Sequence, residues 1–258
     1  MMRILLVDDE PLAIERLQVA LVAVPDAEVV GTASHGSEAV EKIATLRPDL
    51  VMLDVQMPGL SGIEVAEALT SAKWRPDVVF VTAFDHFAIE AFGVDATDYL
   101  LKPVSFDRLR IAVERVRRRQ QLIATTPSQA GGRVGPDRGS EVSGARYPTG
   151  LWVPCPKGSV WVPVETIDRI ESSRDYVLIN TSVKSYIMRA KMSDLERRID
   201  PAIMMRVHRS HIVRLRSVVG IERPGRGSLR LLLADGTNLQ VGPNYHEQVV
   251  TKLRDRLS

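Results

Sequence analysis

Cysteine occurs once, at Cys155, in a chain of 258 residues. That excludes an internal disulfide framework and a zinc site built on cysteine. No apolar run approaches the roughly 18 residues a membrane-crossing helix needs, so no membrane span is expected. A Walker-type glycine loop is also missing, which argues against a nucleotide held by the chain as phosphoryl donor. Charge of one sign hardly prevails: 34 Lys and Arg face 32 Asp and Glu, a formal +2. Taken at face value, that excludes a strongly basic protein made to coat nucleic acid. The opening Met-Met-Arg leads into Ile4–Val7 and then Asp8, Asp9 and Glu10. A secretory leader needs a longer apolar stretch and a small-residue cleavage site, so this start is expected to be a buried strand of a cytoplasmic protein.

What is present is ordinary in amount and uneven in place. Apolar residues make up 45% and charged residues 26%, close to the globular average, so a packed core is expected. The length suits one large or two ordinary domains. Residues 1–123 hold 13 Lys and Arg against 19 Asp and Glu, a net of −6, whereas residues 151–258 hold 18 against 11, a net of +7. An acidic half joined to a basic half points to two domains with different partners. Between them, residues 124–149 are rich in Gly, Ser and Pro, with Val134, Val142 and Tyr147 almost their only large apolar residues. Such a segment buries too little surface to offset its ordering entropy, so a flexible linker is expected. The layout is therefore 1–123, a linker over 124–149, and 150–258.

In the first half, short apolar runs at Ile4–Val7, Glu28–Ala33, Leu50–Leu53, Val78–Thr82 and Tyr99–Leu101 alternate with helical patterns. These patterns cover Pro11–Val24, Ser37–Thr45 with Ser37 as N-cap, Gly62–Leu69, Phe84–Phe92 and Ser105–Leu122. The alternation predicts an α/β domain, a doubly wound five-stranded parallel sheet, whose strands are continuously apolar because both faces are covered. Function in such a sheet sits beyond the carboxyl ends of the strands. The first strand ends in Asp8-Asp9, the third in Asp54, the fourth in Thr82, and the fifth just before Lys102-Pro103. Three neighbouring carboxylates repel one another and call for a cation, and oxygen ligands with room for water suit Mg²⁺. A carboxylate can itself accept a phosphoryl group, while the metal, a Lys and a Thr hydroxyl would stabilise the charge in transit. Taken singly, the residues have plainer readings. Asp8 or Asp9 can cap the helix near Pro11, Thr82 and Tyr99 suit any strand, and Lys102 suits any surface. Their joint placement at one rim carries the functional reading.

These motifs, namely Val7-Asp8-Asp9-Glu10, Leu53-Asp54-Val55-Gln56-Met57-Pro58-Gly59, Val81-Thr82-Ala83 and Asp98-Tyr99-Leu100-Leu101-Lys102-Pro103, resemble the receiver domain of two-component response regulators, a flavodoxin-like fold. The resemblance implies Asp54 as the phosphorylated residue. It implies Asp9, with Asp8, and the Gln56 backbone carbonyl as Mg²⁺ ligands beside Asp54. It further implies Thr82 and Lys102 as phosphoryl contacts, Tyr99 as the aromatic switch partner of Thr82, and a cis Lys102–Pro103 bond. The stretch Thr82–Phe92 holds three of the five Phe, which either pack a helix on the sheet or leave an apolar face that pairs two receivers. His86 within it reads as a surface residue. Arg115, Arg117, Arg118 and Arg119 either complement a helix C-terminus or pair with acids across a dimer.

From residue 151 the pattern becomes short strands: Leu151–Cys155, Ser159–Val164, Arg169–Ser173, Tyr176–Thr181, Ser185–Arg189, Met205–His208, Ile212–Leu215, Val218–Arg223, Ser228–Leu233 and Asn238–Val241. Asp235-Gly236 between apolar runs is a hairpin signal. Ser193 with Glu196 reads as a capping box for a helix over Ser193–Ile199, and a last helix fits Tyr245–Leu257. The expectation is a mostly antiparallel all-β domain. It lacks a convincing nucleophile, base and acid set, which argues against an enzyme.

The segments Ile170–Val177, Met192–Glu196, Arg206–Val213 and Leu233–Thr237 resemble the LytTR DNA-binding domain, so the whole chain resembles response regulators of the LytR/AlgR type. The resemblance implies loops entering successive major grooves of direct-repeat DNA, bound as a dimer. It directs Arg174, Arg209 and Ser210 toward DNA. In the Val241–Tyr245 loop the family commonly has basic residues where Pro243 and Asn244 stand. Asn244 can still read adenine. Lys191, Arg189 and Arg206 are candidates for phosphate contacts, which add salt sensitivity without sequence preference. Arg209 can instead pair with Glu171 or Asp194. His208 and His211 suggest zinc only if they converge, and no further Cys or His stands near. The reading is a phosphorylation-dependent DNA-binding transcriptional regulator, Mg²⁺-dependent, served by a sensor histidine kinase and homodimeric through its receiver. The rival is a receiver that controls a protein- or RNA-binding module.

Overall fold

The computed structural model describes residues 1–70, 74–83, 96–125, 147–155, 158–173, 175–225 and 227–257. The expected helix Phe84–Phe92, with His86, and most of the expected linker lie outside them, as does Arg174. Strands β1 (Met2–Val7), β2 (Ala27–Ala33), β3 (Leu50–Leu53), β4 (Asp77–Thr82) and β5 (Asp98–Leu101) form one parallel sheet in the order β2-β1-β3-β4-β5. Helices α1 (Pro11–Val22), α2 (Gly36–Leu46), α3 (Gly62–Leu69) and α4 (Phe106–Thr125) flank it. One apolar layer joins Ile4, Leu6, Leu50 and Val79 to Leu17 and Leu21 of α1 and Leu109, Val113 and Val116 of α4. The other joins Leu5, Val51, Leu53 and Phe80 to Ile43 of α2 and Val65 and Leu69 of α3. Buried on both faces, these strands need apolar residues at every position, which is why they read as continuous runs. The order reverses between β1 and β3, so a crevice opens there beyond the strand ends.

Helix α4 runs through Thr125, so it takes in the first two residues of the expected linker. Ser37 is not the N-cap of α2. His35 fills that place, its Nδ1 accepting the Glu38 amide, which satisfies one of the amides that the helix start leaves orphaned. Ser61 caps α3 with a complete capping box to Glu64, satisfying amides that the helix leaves orphaned.

The second half opens with a hairpin of β6 (Gly150–Cys155) and β7 (Gly158–Pro163). A five-stranded antiparallel sheet follows, built from β8 (Ile167–Ser173), β9 (Tyr176–Thr181), β10 (Ser185–Arg189), β11 (Met204–His208) and β12 (His211–Arg214), in the order β10-β9-β8-β12-β11. A three-stranded sheet of β13 (Val218–Glu222), β14 (Arg230–Leu233) and β15 (Asn238–Gln240) completes it. Helices α5 (Met192–Arg198) and α6 (His246–Leu257) lie between β10 and β11 and after β15. Two cores result: Ile167, Ile170, Ile179 and Leu195 around the larger sheet, and Val207, Leu231, Val241 and Val249 around the smaller. The Asp235-Gly236 hairpin forms, with Gly236 at φ 83 and Asp235 accepting the Thr237 amide. The capping box expected at Ser193 does not. Helix α5 starts one residue earlier, with Lys191 at its cap and no side-chain bond there, because Met192 is drawn into the core.

Candidate functional site

The rim of the parallel sheet gathers the residues its strand ends predict. Asp8 and Asp9 follow β1, Asp54 follows β3, Thr82 ends β4 and Lys102 follows β5. The Lys102 amide donates to the Thr82 carbonyl, and the Asp54 amide to that of Val7, so sheet pairing itself sets these termini side by side. Ligand oxygens of Asp8, Asp9 and Asp54 lie within 4.8 Å of one another. Asp8 and Asp54 are buried and Asp9 is exposed. Asp8 does not cap α1. Its Oδ1 accepts the Glu10 amide at 3.0 Å, and the side chain of the cap residue Glu10 makes no capping bond to the helix.

Lys102 Nζ stands 2.7 Å from Asp8 Oδ2, 3.3 Å from Asp54 Oδ2 and 4.0 Å from Glu10 Oε2. The contact with Asp8 is a close ion pair, and apart from Lys102 the buried Asp8 Oδ2 accepts from no other group among the described residues. Burial raises the Asp8 pKa, and Lys102 only partly offsets it. Burial also disfavours the Lys102 ammonium, yet the Asp8 and Asp54 carboxylates prevail and raise its pKa. A partly buried carboxylate cluster that one ammonium incompletely neutralises fits a hard cation bound through oxygen. Asp54 Oδ1 accepts the Val55 amide at 2.7 Å, which fixes the carboxylate and leaves Oδ2 on the lysine side.

Backbone economy holds the loop in place. A Cβ on Gly62 would sit 2.0 Å from the Asp54 carbonyl, and Gly59 adopts φ +80, so both positions need the freedom of glycine. Gln56 is exposed beside the cleft, which Asp9, Asp54, Met57, Ala83 and Lys102 also line. Thr82 and Tyr99 are buried. The Tyr99 ring lies 5.9 Å from that of Phe80, and the Lys102–Pro103 bond is cis.

A second cluster occupies one end of the antiparallel sheet. The turn between β11 and β12 carries Arg209, exposed, and Ser210, whose carbonyl accepts the Ser172 amide next to the β8–β9 turn. The Gly242 amide donates to the Val207 carbonyl, which brings exposed Asn244 to the same end. Arg189 lies opposite Tyr176 in the register and is exposed, as is Lys191. Arg206 is already engaged: it pairs with Glu196 at 2.7 Å, donates to the Arg209 carbonyl and lies over the Tyr245 ring. Neither rival partner expected for Arg209 takes it, since Glu171 meets Arg169 and Asp194 meets Arg197. Ser210 Oγ bridges His208 Nδ1 at 2.7 Å and His211 Nδ1 at 2.9 Å. Those ring nitrogens are thus occupied by a hydroxyl, and among the described residues the only cluster suited to a metal is the aspartate one.

Sequence reasoning gave no role to Asp98, Arg108, Arg169 and Asn180, which are buried or nearly so, and it read Arg115 as a helix-end cation or a dimer contact, whereas Arg115 lies within the helix and bonds Asp98, Asn180, Thr181 and Ser185 of the same chain. A charged residue at a strand start or within a helix is an ordinary surface signal, so no local pattern exposed them.

Comparison with known proteins agrees with this geometry. Residues 4–114 match the response regulator receiver domain, and residues 157–254 match the LytTr DNA-binding domain. The sensory transduction protein LytT of Bacillus cereus is 29% identical over 98% of this chain and 100% of its own length. The positive alginate biosynthesis regulatory protein of Pseudomonas aeruginosa is 35% identical over 95% of this chain and 96% of its own. The transcriptional regulatory protein BtsR of Escherichia coli is 32% identical over 95% and 96%. With both family models matched in order and relatives aligned nearly end to end, the chain belongs to the LytTR-type response regulators, phosphorylation-dependent DNA-binding transcriptional regulators of two-component systems.

Proposed function

We propose that Asp54 is the phosphoryl acceptor of this regulator and that the exposed end of the antiparallel sheet reads DNA. The observation carrying the first part is a fixed, largely buried Asp54 carboxylate ringed by Asp8, Asp9 and Lys102 at an open cleft. The phosphoryl group moves from a histidine of a sensor kinase: the P–N bond breaks and a P–O bond forms on Asp54. Asp8, Asp9 and Asp54, with the Gln56 carbonyl, would hold Mg²⁺, which supplies charge neutralisation for the transferring group. Lys102 would leave Asp8 and meet a phosphoryl oxygen, and Thr82 and Tyr99 would respond to it. The output has no catalytic role in this reading, and the protein works in the cytoplasm. No helix among the described residues is long and apolar enough to cross a membrane.

Arg209, Ser210 and Asn244, together with Arg174, supply base-edge contacts in this reading, and Arg189 and Lys191 supply phosphate contacts. Arg206 reaches phosphate only by leaving Glu196. Two tethered output domains would gain avidity on direct repeats, paired through a receiver homodimer. Acetyl phosphate with Mg²⁺ should label the wild type and leave Asp54→Ala unlabelled, and EDTA should abolish the labelling. Equal labelling of Asp54→Ala would sink the assignment. Binding titrations against random duplex DNA and single-stranded RNA at two salt concentrations separate the DNA reading from the RNA one.

A further inference from the structure

The two halves meet through a buried polar network. Arg115 of α4 is 3% exposed, and its guanidinium donates to the Thr181 carbonyl at 3.0 Å, Ser185 Oγ at 2.9 Å and Asn180 Oδ1 at 3.3 Å, all in the output domain. It also pairs with Asp98 at the start of β5. Arg108 clasps the same Asp98 at 2.8 and 2.9 Å and reaches the Tyr99 carbonyl at 3.2 Å. Asn180 passes the chain onward to Glu171, which meets Arg169, and Arg169 meets Asp235. The Ser185 amide donates to the Thr97 carbonyl at 3.0 Å, so β10 and β5, each the edge of its own sheet, meet there. Leu178 and Ile187 join the apolar cluster of Phe80 and Tyr99. A buried ion pair survives only with its remaining donors satisfied, and most of Arg115's partners come from the other domain. The receiver face is thus shaped for that domain.

The place of this contact matters. Register puts Asn180, Thr181 and Ser185 at one end of β9 and β10, and Tyr176 and Arg189 at the other, beside the β8–β9 turn. Arg189, Arg209 and Asn244 stay exposed in the docked chain. Docking therefore occupies the β5–α4 face of the receiver without covering the end that reads DNA.

We propose that the β5–α4 face is an intramolecular docking surface for the β9–β10 edge of this chain's own output domain, a latch that keeps a second receiver off that face until Asp54 is phosphorylated. It rests on the acceptor role of Asp54. Asp98 directly precedes Tyr99, Arg108 holds both, and Tyr99 shares its apolar cluster with Leu178 and Ile187, so displacement of Tyr99 disturbs the polar and apolar halves of the latch together. The latch lowers the population free to pair without lowering the affinity of a single output domain for DNA.

Hydrogen exchange on the full chain, with phosphorylation followed by intact mass, reads the latch at the Ser185 amide. The resting chain should exchange there about tenfold more slowly than the chain loaded by acetyl phosphate and Mg²⁺. Arg115→Ala in the receiver and Ser185→Arg on the edge strand should each exchange fast without loading, while Asp54 labelling and DNA binding certify that both domains fold. Equal protection in a chain shown by mass to be phosphorylated would overturn the coupling, and an unprotected amide in the resting chain would overturn the dock. Protection that grows with protein concentration would place the contact between copies and overturn the intramolecular assignment. If no phosphoryl group is taken up, the acceptor reading fails and the coupling with it, and the two variants still decide whether the dock exists.

Discussion

His211 shows how a single residue acquires a pH signature from its surroundings. Burial lowers its pKa, and the attraction of Glu171 does not make up the difference. A histidine held below its ordinary value of 6.5 resists protonation in the fold. Its stability contribution is therefore complete above that value and is lost as pH falls from there through the folded pKa. Thermal melts of the full chain from pH 7.5 downward should show the output domain weakening below about pH 6.5, and His211→Gln should flatten that decline. An unchanged decline would show that other groups cause it. Asp98, Glu171 and Asp235 are all held below their ordinary values against the opposing effect of burial. Their arginine-supported contributions are present above the ordinary carboxylate values and fail only in stronger acid. At this scale the aspartates, Thr82 and Lys102 were legible, because strand ends of a parallel sheet converge whatever the loops do. Asp98 was not. Its partners Arg108 and Arg115 lie in the first and third turns of α4, and the groups that bury the pair lie beyond residue 178.

Individual elements were legible where periodicity or turn chemistry is strong. Strands β3, β9 and β10 fall where the apolar runs end, and the Asp235-Gly236 hairpin closes as its left-handed glycine requires. Caps were less secure. Ser37 and Ser193 have the right chemistry one position inside their helices, and His35 and Lys191 stand at the caps in their place. The β11–β12 turn makes its own prediction. Arg209 is exposed, bears no carboxylate partner among the described residues and stands next to the Ser210–histidine bridge. Arg209→Ala should cost about 1–3 kcal/mol of binding to a selected duplex and relax the preference at one base position. Arg189→Ala or Lys191→Ala should instead weaken all duplexes alike and reduce the salt slope by about one each. Both behaviours are read from anisotropy titrations at several salt concentrations. Loss of affinity from Arg209→Ala that is uniform across sequences would move it to the phosphate class.

At the scale of the whole molecule, the nearly neutral total conceals an acidic receiver and a basic output domain. Averaging over 258 residues removed the signal that each half carries. The abrupt change of composition around residues 124–149 is what suggests a division into two domains, whereas the contact between the halves left no trace in composition. It is assembled from single residues of β5, α4, β9 and β10, and no periodicity links them. On the function proposed above, chemistry at Asp54 governs binding by the distant basic end. DNA affinity of the full chain for a duplex selected from a random library, measured with and without acetyl phosphate and Mg²⁺, tests it in wild type and Asp54→Asn. Affinity should rise about tenfold or more in the wild type, equivalent to ~1.4 kcal/mol, and should not respond in Asp54→Asn. An equal response in both, or none in a wild type whose mass shows full phosphorylation, would contradict it.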